Sequence, residues 1–298
     1  MPAGAEHLDF RGVQGFDANT AVVMSSGKGD LSRLYKTTDG CHTWKLIFTN
    51  PDADGFWDAI QFSDREQTSS SHEANGVLLG DPVDGVFAIF ITQNGGDSWT
   101  RWNENDPKHL PKAANGESLF AASNQAAVMP GSNGSFAFVT GGTQSKIYLA
   151  FSSKSLGFIS GPSAGAFAIA ARRFSGSASA DFMVVGGDYA KPDSPGSSAF
   201  ISSPRFVIGS RGFSRPNTPP HGYRSSVAYD AGTKSWITVG PNGTDISTDD
   251  GKNWRPVHPN AALQETSGAD RNWNAISLPF VVGPHGRIGK LNPAALER

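Results

Sequence analysis

Glu117 and Asp81 are the two side chains best suited to do chemistry in this sequence. Glu117 follows Asn115-Gly116 and opens an apolar run, SLFAAS, so turn formation does not account for it easily. Asp81 stands in GDPVDG, between two apolar runs. Glycosidic chemistry needs one carboxylic acid and one carboxylate across a sugar ring, and this pair could supply them, with Asp58 and Asp188 in reserve. Arg11, Tyr189, Tyr223, Arg224, Asn242, Asn274 and His285 supply the cationic, aromatic and amide groups of a binding site, with Asp84 and Thr143 beside them. Plainer roles compete. Asp81-Pro82 is a turn starter, GPNG around Asn242 and GPHG around His285 read as turns, and Arg224 serves an ion pair with a neighbouring acid as well as it serves an anion.

Residues so far apart need a scaffold that gathers them. Six short β-type runs end in Gly: AVVMSSG, GVLLG, FAFVTGG, FMVVGG, WITVG and FVVG. Each follows another short run: FRGVQGF, FWDAIQF, SLFAAS, FAIAARRF, RSSVAYD and WNAISLP. These are six copies of a strand A followed by a strand B, rich in β-branched and aromatic residues with turn residues between them. Three octets recur further along the units: Thr37–Trp44, Thr92–Trp99 and Ser247–Trp254, on the pattern [ST]-x-[DN]-x-G-x-x-W. Their Trp residues lie 55 and 155 residues apart, close to one and three periods of about 50. Relics of the same hairpin fall at Thr143–Lys154 and Ala199–Phe206. The octets belong between strands C and D. Within them Asp39, Asn94 and Asp249 are turn formers that accept backbone N–H groups, and Trp44, Trp99 and Trp254 pack beneath the hairpins. Cys41 stands where the pattern has Gly, which reads as a turn of different backbone with an inert, buried or half-buried thiol.

Six four-stranded units make an all-β chain, a β-propeller of six blades, with seven as the other count. The whole chain, 1–298, then forms one domain. The last unit lacks a strand D, and the residues before Phe10 are placed to supply it. In a propeller the loops leading into strand A and the loops joining B to C open on one face. All the candidate residues fall there: Arg11, Asp58, Glu117, Tyr223, Arg224 and Asn274 ahead of A strands, and Asp81, Asp84, Thr143, Asp188, Tyr189, Asn242 and His285 between B and C. The polar stretches Asp64–Ala74, Asn103–Gly116, Lys191–Ser198 and Arg211–His221 are loops, two of which lead into Glu117 and Tyr223.

Composition narrows the function. Lys and Arg number 25 against 27 Asp and Glu, a net charge of −2, so a general nucleic-acid binder is excluded. No apolar run approaches the roughly 18 residues of a membrane helix, so membrane insertion is not expected. One Cys excludes an intramolecular disulfide and a Cys-based zinc site. Seven scattered His give no metal-ligand pattern, and Asp81 with Asp84 lacks the spacing of a calcium loop. The expected cofactor and metal content is therefore none, and the expected state a monomer. The start, MPAGAEHLDFRG, has neither the basic nor the apolar region of a signal peptide.

The octet resembles the Asp-box, or BNR repeat, of sialidase-like propellers. A longer resemblance runs from about residue 8 to 292. FWDAIQF, GVLLGDPVDGVFAIFITQNGGDSW, GESLFAAS, VTGGT, VVGGDYAKPD, GYRSSVAYD and VGPNGTDISTDDGKNW, in that order, are similar to the photosystem II stability/assembly factor-like proteins. The resemblance implies a propeller that is usually exported, hence periplasmic or secreted, and that carries one further blade upstream. It implies a protein or carbohydrate ligand bound at the face of the strand-A loops. The other reading from the same likeness is a glycoside hydrolase. A sialidase would need three Arg, a Tyr nucleophile and a Glu partner; Arg11, Arg224, Tyr223 and Glu117 answer to part of that set, and Arg172 and Arg173 lie too far along their strand to complete it.

Overall fold

The computed structural model describes every residue except 64–73, 104–105, 107–108, 131–133, 150–151, 174–179, 204–212 and 297–298. The first sheet is β1 (Asp9–Gly15), β2 (Ala21–Ser26), β3 (Arg33–Thr37) and β4 (Lys45–Thr49) in that order. The second is β5 (Trp57–Phe62), β6 (Gly76–Val83), β7 (Val86–Thr92) and β8 (Thr100–Arg101). The short β9 (Glu117–Ser118) precedes a third sheet that begins at β10 (Ala127–Val128) and β11 (Ala137–Val139). After β12 (Gly141–Gly142) that sheet is completed by β13 (Lys146–Leu149) and β14 (Ser152–Ser155). The fourth is built on β15 (Gly161–Arg173), β16 (Ala180–Asp188) and β17 (Ser197–Ser203), with β12 on the inner edge of β15. The fifth is β18 (Ser226–Asp230), β19 (Ser235–Gly240), β20 (Gly243–Ser247) and β21 (Arg255–Val257). The sixth has, among the described residues, three strands: β22 (Ala275–Ser277), β23 (Phe280–Gly283) and β24 (Arg287–Lys290). Neighbouring strands are antiparallel and mostly consecutive in sequence, and the fold is a six-bladed β-propeller. Its helical content, among the described residues, is short 3-10 turns such as Pro293–Ala295.

Contacts divide the chain into two compact units, Met1–Phe138 with Tyr148–Ser152, and Val139–Ile147 with Ser153–Arg298. In the first, the middle strands are buried on both sides, so their period of two splits between two cores. Leu78, Ala88 and Phe90 join Trp57, Ile60 and Met24 in one. Val77, Leu79, Phe87 and Ile89 join Leu119, Phe138 and Tyr148 in the other. Phe48 stacks on Trp57 at 5.3 Å and 20° and on Trp99 at 6.4 Å and 14°, inserting the outer strand of one blade against the next. The second unit repeats the division. Val227 and Trp236 pack with Met183 and Trp254, while Ile237 and Val239 pack with Trp273 and Val281.

The octets fall between the third and fourth strands of the first, second and fifth sheets. The three turns have one geometry. Asp39 Oδ1, Asn94 Oδ1 and Asp249 Oδ1 accept the N–H of Thr43, Ser98 and Asn253 at 2.9, 3.0 and 2.9 Å. The hydroxyl of Thr37, Thr92 or Ser247 donates to the same oxygen, and accepts the N–H of Cys41, Gly96 or Gly251. Two successive residues take positive φ in every copy: Gly40 and Cys41, Gly95 and Gly96, Asp250 and Gly251. Cys41, at φ 71°, therefore keeps the backbone of its glycine counterparts, and its thiol is exposed; the expected different backbone and buried thiol are both corrected. Trp99 and Trp254 are buried, but Trp44 is only half-buried, since its cluster is the small one formed by Ala5, Leu8 and Tyr35.

Two further expectations change, and others lie outside the described residues. Residues 1–8 are turns rather than a strand, and they bury Ala5 and Leu8 against Tyr35. The first strand of the third blade is Ala127–Val128, not the SLFAAS run. The interior of the 64–74 insertion, the hairpin relic beyond Ser203 and parts of the 103–116 and 211–221 loops lie outside the described residues.

Candidate functional site

The ladders of several first and second blade strands are broken by β-bulges. The register of β1 with β2 skips Arg11, that of β5 with β6 skips Asp58, that of β6 with β7 skips Asp81, and that of β15 with β16 skips Phe167. A bulge leaves one residue unpaired and re-aims its side chain. In the first unit three such residues meet on one segment, Leu119–Asn124. Asp81 Oδ1 accepts the Leu119 N–H at 3.0 Å. The backbone N–H groups of Asp81 and Ala121 lie near enough to the Asp58 carboxyl to favour its charged form, although the Asp81 N–H itself bonds to the Phe56 carbonyl at 2.9 Å. Arg11 Nη1 donates to the Ala121 carbonyl at 3.4 Å, while its other side forms a 2.7 Å ion pair with Asp9. Asn124 completes the attachment: its Oδ1 accepts the Ile60 N–H at 2.8 Å and its carbonyl accepts the Gln61 amide. The SLFAAS run is apolar and strand-like for this reason. It lies against strands β1 and β5 without forming a blade strand.

Burial dominates the electrostatics here. It pushes the Asp58 carboxyl well above its usual value, the charge of Asp81 pushes it further, and Arg11 with the two N–H donors opposes. Asp58 Oδ2 is buried without a hydrogen-bond partner. Burial also lifts Asp81 to about 6, against the Leu119 N–H. The arrangement is a buried carboxyl that favours its protonated form and a second that titrates near 6, beside a cation that is 43% exposed at its side chain.

Glu117 does not join this cluster through any of these bonds. Its Oε2 accepts the Ala114 N–H at 2.9 Å, its own N–H returns to the Ala114 carbonyl at 3.0 Å, and Tyr148 donates to Oε1 at 3.0 Å. The turn that the sequence seemed to lack is therefore present. Burial, then the charge of Glu117, raises the Tyr148 phenol, so it remains a donor.

In the second unit Arg224 is fully buried. Its Nε and Nη2 donate to Asp245 Oδ2, the Nε bond at 2.7 Å, and its Nη1 donates to Asn242 Oδ1 at 2.6 Å and to the Tyr223 carbonyl at 2.8 Å. His221 Nδ1 lies 2.7 Å from Asp245 Oδ1. Of the two roles open to Arg224, the ion pair is the one it fills, and Asn242 serves it. Burial draws the guanidinium pKa down and Asp245 opposes. Phe167, aimed by its bulge, meets the rings of Tyr223 at 4.7 Å and Tyr189 at 6.1 Å. Tyr223 is buried, whereas Tyr189 is 53% exposed. Asp188 caps a turn through the Ala190 N–H at 3.0 Å. Asp84, at φ 52°, and Gly85 form the two-residue turn between Val83 and Val86. His285 is an exposed turn residue at φ 58°, and Asn274 is exposed. Among the described residues, no group of three or more His, Cys, Asp or Glu side chains gathers to hold a metal.

The sequence reading missed Asp245 and His221. Asp245 alternates with Thr244 and Ile246 in a short strand, and a buried acid inside a strand is itself the signal that a buried cation faces it.

The chain is similar in structure to YCF48 bound to D1 peptide, at 14% identity over 94% of this chain and 78% of that one, with a TM-score of 0.50. YCF48 from Cyanidioschyzon merolae matches at 15% identity over 96% of each chain, TM-score 0.43. An α-L-arabinofuranosidase, arb93a from Fusarium graminearum, in complex with an iminosugar inhibitor, matches at 10% identity over 84% of this chain and 80% of that one, TM-score 0.47. What the chain shares with the first of these is the propeller fold. No protein-family model and no curated protein sequence matches.

Proposed function

We propose that this protein is a ligand-binding propeller of the Asp-box type that takes a protein or carbohydrate ligand at the loops leading into its A strands. The observation that carries this reading is the run of bulges at Arg11, Asp58, Asp81 and Phe167. Each gives up ladder pairing to turn a side chain out of register, which is common beside binding sites. In the first unit Arg11 is the exposed contact; in the second, Tyr189, Asn274 and His285 are exposed, and Asp188, Tyr223, Arg224 and Asn242 support Tyr189 from within that unit. Asp39, Asn94 and Asp249, with their Trp partners, hold the C–D turns.

A hydrolase is the second reading, and one observation favours it. Asp58 and Asp81 lie in environments that raise both carboxyls, so one holds a proton while the other titrates near neutrality. Asp81 would then work with Asp58 rather than with Glu117, whose oxygens are already bonded.

A glycan and peptide array, read for binding and for release of reducing ends, tests both. Binding without turnover that falls at least tenfold in Arg11→Ala or Tyr189→Ala supports the first reading. Turnover lost in Asp81→Asn supports the second. Binding indifferent to Arg11 and Tyr189 removes them from the site.

A further inference from the structure

The sixth blade, within the second unit, ends on an open edge. Leu291 N–H bonds to the Pro279 carbonyl, and the register pairs Gly289 with Val281 and Gly283 with Arg287. Strand alternation then turns the peptide groups of Ile288 and Lys290 outward, where a fourth strand would pair. No strand of the described residues does so. The two segments of this sequence nearest that role are otherwise used. Residues 1–8 pack as turns on Tyr35, and residues 291–296 turn back so that Arg255 holds the Leu296 carbonyl at 2.8 Å.

Beside this edge lies a cavity of about 340 Å³. Its floor is apolar: Ile237, Val239, Val257, Trp273 and Leu291. Gly289 is small because a Cβ there would come within 2.8 Å of the Trp273 ring. At the rim, Glu265 is consumed by Asn260 N–H and the Asn292 amide, at 2.7 and 2.9 Å. Arg287 lies over Trp273 at 4.0 Å and donates to the carbonyls of Arg271 and Gly268. Asp270 lies 3.7 Å from Arg271. Lys290 and His258 have no such side-chain partner among the described residues, so the uncommitted rim is basic. Ile288, 72% exposed, and Val282 opposite it form an apolar pair on the same sheet.

We propose that the β24 edge binds an extended acidic peptide as a fourth strand, with apolar residues alternating with carboxylates. The outward peptide groups of Ile288 and Lys290 would supply the ladder bonds, the cavity would take an apolar side chain, and Lys290 would pair with a carboxylate. This is a second site, independent of the ligand reading above.

The test uses a fluorescein-labelled heptapeptide alternating Val and Asp, acetylated and amidated, with the full chain. Ile288→Pro removes one outward N–H and keeps the pairing with β23, a substitution edge strands tolerate. The expected result is saturable binding, weakened at least tenfold by Ile288→Pro and by Lys290→Glu, with both variants keeping the wild-type melting temperature. Slowed hydrogen exchange at Ile288 and Lys290 should accompany it. A peptide N-methylated at alternate residues, or one alternating Val and Lys, should bind at least tenfold more weakly. Equal binding by either control, binding unchanged in Ile288→Pro, or octanoate occupying the cavity while the peptide fails to bind would overturn the proposal. So would edge-mediated dimerisation that the peptide cannot compete away.

Discussion

The phenol of Tyr148 donates a 3.0 Å hydrogen bond to Glu117 Oε1, and both groups are buried. This bond, with the Ala114 N–H, makes Glu117 the anchor of the turn before β9. Tyr148→Phe removes the donor and leaves the carboxylate short of one partner. A loss of about 1–3 kcal/mol is expected in denaturant unfolding. Stability within error of wild type would show that the bond contributes nothing.

Cys41 and Gly96 occupy equivalent turn positions with φ of 71° and 88°. A side chain at positive φ is strained, and glycine relieves the strain while making the unfolded chain more flexible. Cys41→Gly should therefore stabilise by up to about 1 kcal/mol. Gly96→Ala should destabilise, because a Cβ there would also crowd the Phe62 ring at 3.3 Å. Paired thermal melts check both signs; a lower melting temperature for Cys41→Gly contradicts the first.

The Asp81 carboxyl titrates near 6 in the folded protein and near 4 when exposed. Folding then takes up a proton between those values. The contribution is greatest below pH 4 and is lost as pH rises to about 6, on the order of 2–3 kcal/mol. Asp58, raised by burial and by Asp81, carries the same sign. Asp81→Asn keeps an oxygen for the Leu119 N–H but has no proton to lose. Urea midpoints at pH 4.5 and 7.5 should show the variant gaining on wild type as pH rises. Parallel curves would mean that Asp81 titrates normally.

Trp99 and Trp254 are buried and donate through Nε1, to Gly96 carbonyl at 3.1 Å and to Ser198 Oγ at 3.0 Å. Replacement by Ala should cost about 3–5 kcal/mol in each case. Trp44 is half-buried and its Nε1 has no partner, so Trp44→Ala should cost clearly less. Equal losses at all three positions would show that the turns, rather than the packing, set the energy.

Local chemistry carried much of this protein into its sequence. Alternating apolar runs punctuated by Gly marked the A and B strands, and the octets marked C–D turns, because both depend on neighbours within about ten residues. That the last blade has three strands among the described residues was legible for the same reason. SLFAAS misled because its composition suits any partner along a sheet edge; only tertiary contact with Arg11, Asp58 and Asp81 decides that it lines β1 and β5 instead of opening a blade. Bulges are equally silent in sequence, since one extra residue in a ladder is defined by the strand opposite. Arg224 shows the general limit. Its neighbours in sequence leave an ion pair and an anion site equally open, and the choice was made by Asp245, 21 residues away, which lies buried against its guanidinium.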